Sequence, residues 1–447
     1  MKYRFLFLIF LLSGFLINRS GFSQTLIGAQ IDNRAGIKGL TLNPANVINP
    51  RLKAEIHLFS ASAYVGNDYI GLNLGDLNQV NDFRSFQENS NINSKPDNNF
   101  VGNLDIFRPG FQFNIDPKNS LALTTRFRTF FNLNNVGGEF FESIVAEDES
   151  SSYEVLMRDL SGILHVWGEL GLTYGRVLLE NSNYSLKGAA TFKYLAGAGG
   201  VIGSSNLLGA IYLETPNSLT TRGNLDYGYS NGFESGEVDL GDFQSGFGMD
   251  IGFIFELQDQ TKNAYSDGYK FKAGVSIMDI GGIKYPQFGR WNYDLDKTVD
   301  LDGIEETTIR EFLEQNYVSA VNERDTRLAI PTSLQIFADY ALSNRFYISA
   351  HGSYSLRKHQ EVPVSQIVNS IVITPRMETG WFSLYSPISY RQFEGGISWG
   401  VGLRLGPVTI GSASILTNLL SKNSRSTDAY FGVQIPIYKK GSRINQP

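Results

Sequence analysis

The sequence predicts an all-β fold, a transmembrane antiparallel β-barrel of about 14 strands (alternative 16) with an N-terminal plug. Three observations carry this: a two-residue alternation of apolar side chains, short turns alternating with long loops, and an export-type N-terminus. The alternation is plainest in the C-terminal half. Phe247, Met249, Ile251, Phe253, Phe255 and Leu257 interleave with Gly248, Asp250, Gly252 and Glu256. Tyr269, Phe271, Ala273, Val275 and Ile277 alternate with Lys270, Lys272 and Ser276, and Ile397 to Leu405 repeats the pattern. Successive strand side chains point to opposite faces, so each segment has one greasy and one wet face. A soluble sandwich packs its greasy face inward. Here strands of about ten residues, tight turns and an export signal favour lipid outside and a polar interior.

Met1-Lys2-Tyr3-Arg4 followed by an apolar run from Phe5 to Ile17, with Gly21 and Ser23 spaced as at a cleavage site, reads as a signal peptide over residues 1–23. The run is short for a spanning helix, and with no cysteine there is nothing to acylate and no disulfide to form. The mature chain then divides into a plug or hatch segment (24–50), the barrel (51–438) and a short periplasmic tail (439–447). The 31 Phe, 22 Tyr and 46 Gly suit aromatic girdles, turns and curved strands. A net charge of −6 excludes a nucleic-acid footprint.

Strands are expected at about Leu52–Leu74, Arg108–Ile115, Leu121–Phe131, Ile163–Leu179, Tyr184–Tyr194, Phe247–Leu257 and Tyr269–Met278. The second half adds Leu334–Ala341, Phe346–Leu356, Ile367–Met377, Phe382–Tyr390, Gly396–Leu405, Val408–Ile415 and Ala429–Tyr438. Asp116–Asn119, Glu180–Asn183, Leu342–Arg345 and Gly406-Pro407 are good turn chemistry. Asn78–Asp105, Asn132–Gly162, Gly197–Gly246, Gly281–Ala329 and Leu416–Asp428 are long, as extracellular loops are. A true hairpin of Leu207–Leu213 with Asn224–Tyr229 raises the strand number to the alternative. A helix is expected near Ile309–Asn316, and a second candidate is Tyr153–Leu160.

In this register the inward face collects Arg126, Arg128, Glu169, Lys187, Lys193, Asp250, Glu256, Lys270, Lys272, Asp339, His351 and Arg404. Mixed signs fit either a polar conduit or a self-neutralising filling, since buried charges must be paired. Enzyme chemistry is not expected. There are four histidines, His57, His165, His351 and His359, and only common serines flank His351. The acidic stretch Asp294 to Glu306 lacks calcium-loop spacing, and Gly197–Gly203 lacks dinucleotide spacing, so no metal or cofactor is expected. Arg34 and Lys38 in the plug are expected to pair with inward acids such as Glu169, Asp250, Glu256 or Asp339.

Tyr430, Gly432, Ile435, Ile437 and Tyr438 approximate the pattern read by the barrel-insertion machinery, although a tail follows them. Gly36, Gly39 and Asn43-Pro44-Ala45 resemble the hatch motif of the long-chain fatty-acid transporter superfamily, which includes the type IX secretion barrel. Thr374-Pro375, Tyr390, Gly400-Val401-Gly402, Gly406, Ile410-Gly411-Ser412 and Ala429-Tyr430-Phe431 look like an uncharacterised family of exported barrels, as do Trp167, Glu169, Gly171 and Tyr174. The resemblance implies a plugged barrel of about 14 strands in the outer membrane of a Gram-negative bacterium. Passive transport or binding of a small, perhaps hydrophobic ligand is the first functional expectation. A non-transporting scaffold for envelope proteins or a secretion complex is the second. Membrane lipid and the insertion machinery are partners under either.

Overall fold

Strands with one greasy face and one wet face leave two problems, the greasy face and the unpaired edges, and ring closure inside lipid answers both. The computed structural model describes residues 26–72, 90–140, 152–230, 243–259, 268–302, 309–321, 324–358 and 363–439. Its main sheet closes into a barrel of 14 antiparallel strands. In chain order these are β1 (Leu52–Asn67), β2 (Asn98–Phe107, continued by Gly110–Asn114), β3 (Asn119–Val136), β4 (Tyr153–Glu180) and β5 (Tyr184–Leu213). Next come β6 (Gln244–Gln258), β7 (Tyr269–Asp294), β8 (Arg324–Ala329, continued by Ser333–Ala341), β9 (Phe346–Ser355) and β10 (Ser370–Glu378). The ring ends with β11 (Phe382–Tyr385 and Ile388–Arg391), β12 (Ile397–Trp399 and Val401–Leu405), β13 (Val408–Ser412) and β14 (Ser426–Tyr438). Closure is the pairing of β1 with β14, from Leu52 opposite Tyr438 to Gly66 opposite Ser426.

The apolar rows face out. Phe247, Met249, Ile251, Phe253, Phe255 and Leu257 are all exposed, whereas Gly248, Asp250, Gly252 and Ile254 between them are buried. Ile371, Ile373, Ile435 and Ile437 extend the same outer surface. An apolar band of this kind around a closed ladder is a lipid-facing surface, so the barrel spans a membrane. No described helix is long and apolar enough to do so. Short turns share the end that holds Leu52 and Tyr438. In one of them the Asp116 carboxylate accepts from the Lys118 and Asn119 amides at 2.7 and 2.9 Å, which closes the turn locally.

Three details depart from the sequence expectations. The second strand starts at Asn98, inside the stretch read as loop. Tyr153–Leu160 is strand, not helix, because β4 keeps pairing with β5 as far as Tyr153 opposite Tyr212, whose rings stack at 5.3 Å. The hairpin at Leu207–Leu213 exists, yet the strand number stays at 14. Its return strand, Ser218–Tyr229, lies between the upper halves of β5 and β7 and stops where β6 takes the same place beside lower β5. The extension has its own core of Tyr293, Leu295, Val299, Leu313 and Tyr317, with α1 (Ile309–Asn316) packed on it. The signal peptide, Gln24, Thr308, Glu305, Glu306, His359 and the tail beyond Lys439 lie outside the described residues.

The register can be checked at one residue. Ile251→Arg places a guanidinium on the lipid face and is expected to cost about 2–4 kcal/mol near the bilayer midplane. Loss of the heat-modifiable gel band and of refolding into lipid vesicles would report it, whereas an unaltered band would place Ile251 inside.

Candidate functional site: the filled lumen and its wall

With the greasy rows outside, the alternate positions converge in the lumen and must neutralise one another. On the β2–β7 side, Arg126 pairs with Asp105, and Arg128 reaches Glu169 at 3.0 Å and Asp279 at 2.8 Å. Lys193 reaches Asp250 at 2.8 Å and Asp279, and the Trp167 indole donates to Glu169 at 2.8 Å. Lower down, Lys187 pairs with Glu256 at 2.8 Å. On the far side the Arg376 guanidinium donates twice to Asp339, both at 2.7 Å, and the Tyr269 hydroxyl donates to the same carboxylate at 2.6 Å. His351 meets Gln335 at 2.8 Å and Gln30 at 3.4 Å.

One inward assignment needs correcting. Lys270 does not face the lumen: its ammonium lies 4.9 Å from the centre of the Tyr340 ring, and that ring is exposed on the outer surface. A β-bulge is the reason. Leu257 pairs with Phe271 and Gln258 with Tyr269, so Lys270 is an extra residue and Tyr269 takes the inward place. Glu55, Asp105, Asp279, Arg376, Glu378, Arg391, Glu394 and Asp428 are among the inward charges that sequence reading missed. Alternation through Ile371 and Ile373 points Arg376 and Glu378 inward and could have found them. Asp279 sits at φ +58°, where alternation breaks down.

Residues 26–50 pack inside this ring, in three short 3-10 turns, Ala29–Ile31, Gly36–Thr41 and Pro44–Val47. Their contacts run round the circumference: Ile37 N to Glu55 on β1, Gln112 on β2 to Val47 O, Ser276 on β7 to Leu42 O, and Gln434 on β14 to Arg34 O. Apolar Ile31, Leu40, Leu42, Val47 and Ile48 pack on inward Ala122, Val177, Ala189, Ile254 and Phe337. The motif residues have separate tasks. Gly36 has φ +58°, and a side chain there would overlap the Glu55 carboxylate, so only glycine fits. Asn43 caps the last turn through Ala45 N at 2.9 Å and donates its amide to Phe253 O at 3.1 Å and Val275 O at 3.0 Å. Gly252 leaves the room for that anchor.

The cations of this segment find other acids than expected. Arg34 lies 3.5 Å from Glu378, and the Lys38 ammonium donates to Thr409 Oγ1 at 2.6 Å. Burial pulls Lys38 down to about 8 against the opposing field of Glu55. Asp32 accepts from Arg404 Nε at 3.0 Å and from the Tyr385 hydroxyl. Burial alone would raise the Asp32 carboxyl, but Arg404, Arg34 and Tyr385 outweigh it and hold it well below the carboxylate range.

A cavity of about 50 Å³ lies between the segment (Ile27, Gln30, Thr41) and Asp105, Arg128, Gln335 and His351. The wall is less complete than the lumen. β13 ends at Ser412, so Ile397–Trp399 of β12 pairs only with β11, and the top of β14 pairs only with β1. Helix α2 (Ile415–Leu420) covers this notch. Thr417 Oγ1 accepts the Trp399 amide at 2.7 Å, and Leu419 and Leu420 are exposed at 64% and 75%. Behind it Ala413 packs on Ile27 and Val372.

Asn43→Leu removes two wall hydrogen bonds and a cap, roughly 0.5–1.5 kcal/mol each. Amide exchange over residues 26–50 is expected to accelerate by roughly 10- to 2,000-fold while strand exchange is unchanged. Gly252→Val should do the same from the wall side. Unaltered exchange in both would show that the segment is held elsewhere.

Among solved structures the fold is similar to that of a FadL homologue from Pseudomonas aeruginosa, with 11% identity over 93% of this chain and 98% of that one and a TM-score of 0.43. The toluene transporter TbuX of Ralstonia pickettii gives 8% identity, 90% and 94% coverage and a TM-score of 0.43. The translocator domain of the autotransporter NalP from Neisseria meningitidis gives 8%, 92% and 99%, with a TM-score of 0.35. No curated protein gives a significant match. The model of one family matches residues 44–413, most of the barrel, and the chain therefore belongs to DUF5723, a family of unknown function.

Proposed function

We propose that the protein is an outer-membrane barrel that passes a small apolar or amphiphilic molecule between the bilayer and the lumen. The observation that carries this is the notch between β12 and β14. A complete barrel wall needs no helix beside its strands, yet here a strand stops short and a short helix beside the gap leaves two leucines exposed. A wall segment held by Trp399 N to Thr417 Oγ1, by Asn418 Nδ2 to Thr427 Oγ1 and by Asp428 at its start opens at lower cost than a β-ladder. An aqueous pore is disfavoured, because residues 26–50 and the paired inward charges pack together inside the ring.

A lock on α2 tests the reading. The chain has no cysteine, so Trp399→Cys with Thr417→Cys creates one oxidisable pair. Oxidised cells are expected to take up an apolar fluorescent probe no faster than cells lacking the protein, and reductant should restore uptake. Equal uptake in both states would reject the notch as the route.

A scaffold role is the second reading, favoured by the extension. Strands β4, β5 and β7 run 28, 30 and 26 residues, far more than the roughly 9–11 needed to span a bilayer. Replacing residues 204–229 with a short turn should then release a co-purifying envelope protein while leaving the barrel heat-modifiable. Release of nothing would leave the scaffold reading without support.

A further inference from the structure

We propose that the outer wall above β7 and β8 carries a site for the phosphate group of an anionic membrane glycolipid, formed by Lys284, Arg327, Arg357 and Lys358. It rests on the reading that the long-loop end faces the outer leaflet. Its geometry starts at a pair of glycines. Gly282 lies opposite Phe247, whose exposed ring belongs to the apolar band, so Gly281 and Gly282 sit at that band's upper edge. The Arg327 side chain passes over Gly282, where even a Cβ would come within 3.1 Å of its Nε. The Arg357 guanidinium reaches the same place, donating to Thr332 Oγ1 at 3.0 Å and Gly281 O at 3.4 Å. Lys284 is directly across the strand pair from Arg327, and Lys358 is the exposed next residue along the chain.

Asp325 offsets Lys284, but the three remaining cations crowd together and work against folding unless something negative completes them. Like charges directly opposite in a strand pair are destabilising. Among the described residues Lys284 pairs with Asp325, and no carboxylate pairs with Arg327, Arg357 or Lys358. Burial and then the neighbouring Arg327 lower the Arg357 pKa. The missing charge must be one that stands at the rim of an apolar band, with acyl chains below it. Guanidinium pairs suit phosphate oxygens, which accept parallel N–H donors. A phosphate on a sugar headgroup, its chains lying against exposed Tyr354 beneath, fits both the charge and the level.

The test uses the full-length protein in mild detergent and native mass spectrometry. The probes are a bis-phosphorylated acylated diglucosamine, its dephosphorylated form, and inorganic phosphate as competitor. The phosphorylated lipid should be retained, and retention should fall about tenfold or more in Arg327→Ser/Lys358→Ser. It should stay unchanged in Lys53→Ser/Lys118→Ser at the opposite end. Equal retention of the dephosphorylated lipid, indifference to the double substitution, or displacement by millimolar phosphate would each overturn the site, the last by showing a free-anion site. Labelling of Lys358→Cys on intact cells by an impermeant maleimide reads the orientation separately, so that a wrong orientation and an absent site give different results.

Discussion

Everything inside this barrel follows from one constraint: the N-terminal segment occupies the lumen, so inward charges have little water to solvate them and must be neutralised by one another. An unpaired buried charge costs several kcal/mol, and removing one partner of a buried pair costs about 3–5 kcal/mol. The inward face answers with shared partners. Glu169 serves Arg126, Arg128 and the Trp167 indole, and Asp279 serves Arg128 and Lys193. Shared acids bind β3, β4, β5, β6 and β7 into one electrostatic unit. That unit also locks register, because a slip of one residue would carry Arg126, Arg128, Glu169 and Lys193 into lipid.

Much of this was legible from the sequence, because lipid outside and polar partners inside impose a period of two that no other constraint disturbs over most of the ring. Phe247–Leu257 reads out its strand, its face and its inward Asp250 directly. What was not legible has local physical causes. At Lys270 a single inserted residue reverses the faces, and nothing in a run of Tyr, Lys, Phe and Lys marks which lysine is the extra one. At Asp279 and Gly281 the backbone takes φ of +58° and +149°, so alternation fails where an acid turns inward. Arg34 and Lys38 were expected beside acids on the β4–β8 side. The segment instead enters next to the β1–β14 seam, so its cations meet Glu378, Glu55 and Thr409.

On the β10–β13 side two neighbouring strands are interrupted at one level. Pro375 and Pro387 each remove a donor from the ladder, and the ladder resumes through Ser386 N to Pro375 O at 3.1 Å and Gly400 N to Pro387 O at 2.9 Å. Gly400 packs so tightly on Ser412 and Ala413 that no side chain fits there. These residues divide β11 and β12 into two pieces each at one level, next to the strand that stops short.

That side is also the one whose charges depend on the N-terminal segment. The β2–β7 network closes without any residue of the segment, whereas Arg404 relies on Asp32 and Glu378 has Arg34 beside it. Withdrawal of the segment would leave one half of the wall neutral and ordered. In the other half it would leave Arg404 without its carboxylate, while Glu378 would keep Arg376, next to a broken ladder and a helix-covered notch. Ile27 packing on Ala413 ties the two features physically, since the segment leans on the residue that precedes α2. The barrel thus has one half whose ion pairs close within the wall and another in which Arg404 takes its carboxylate from the segment.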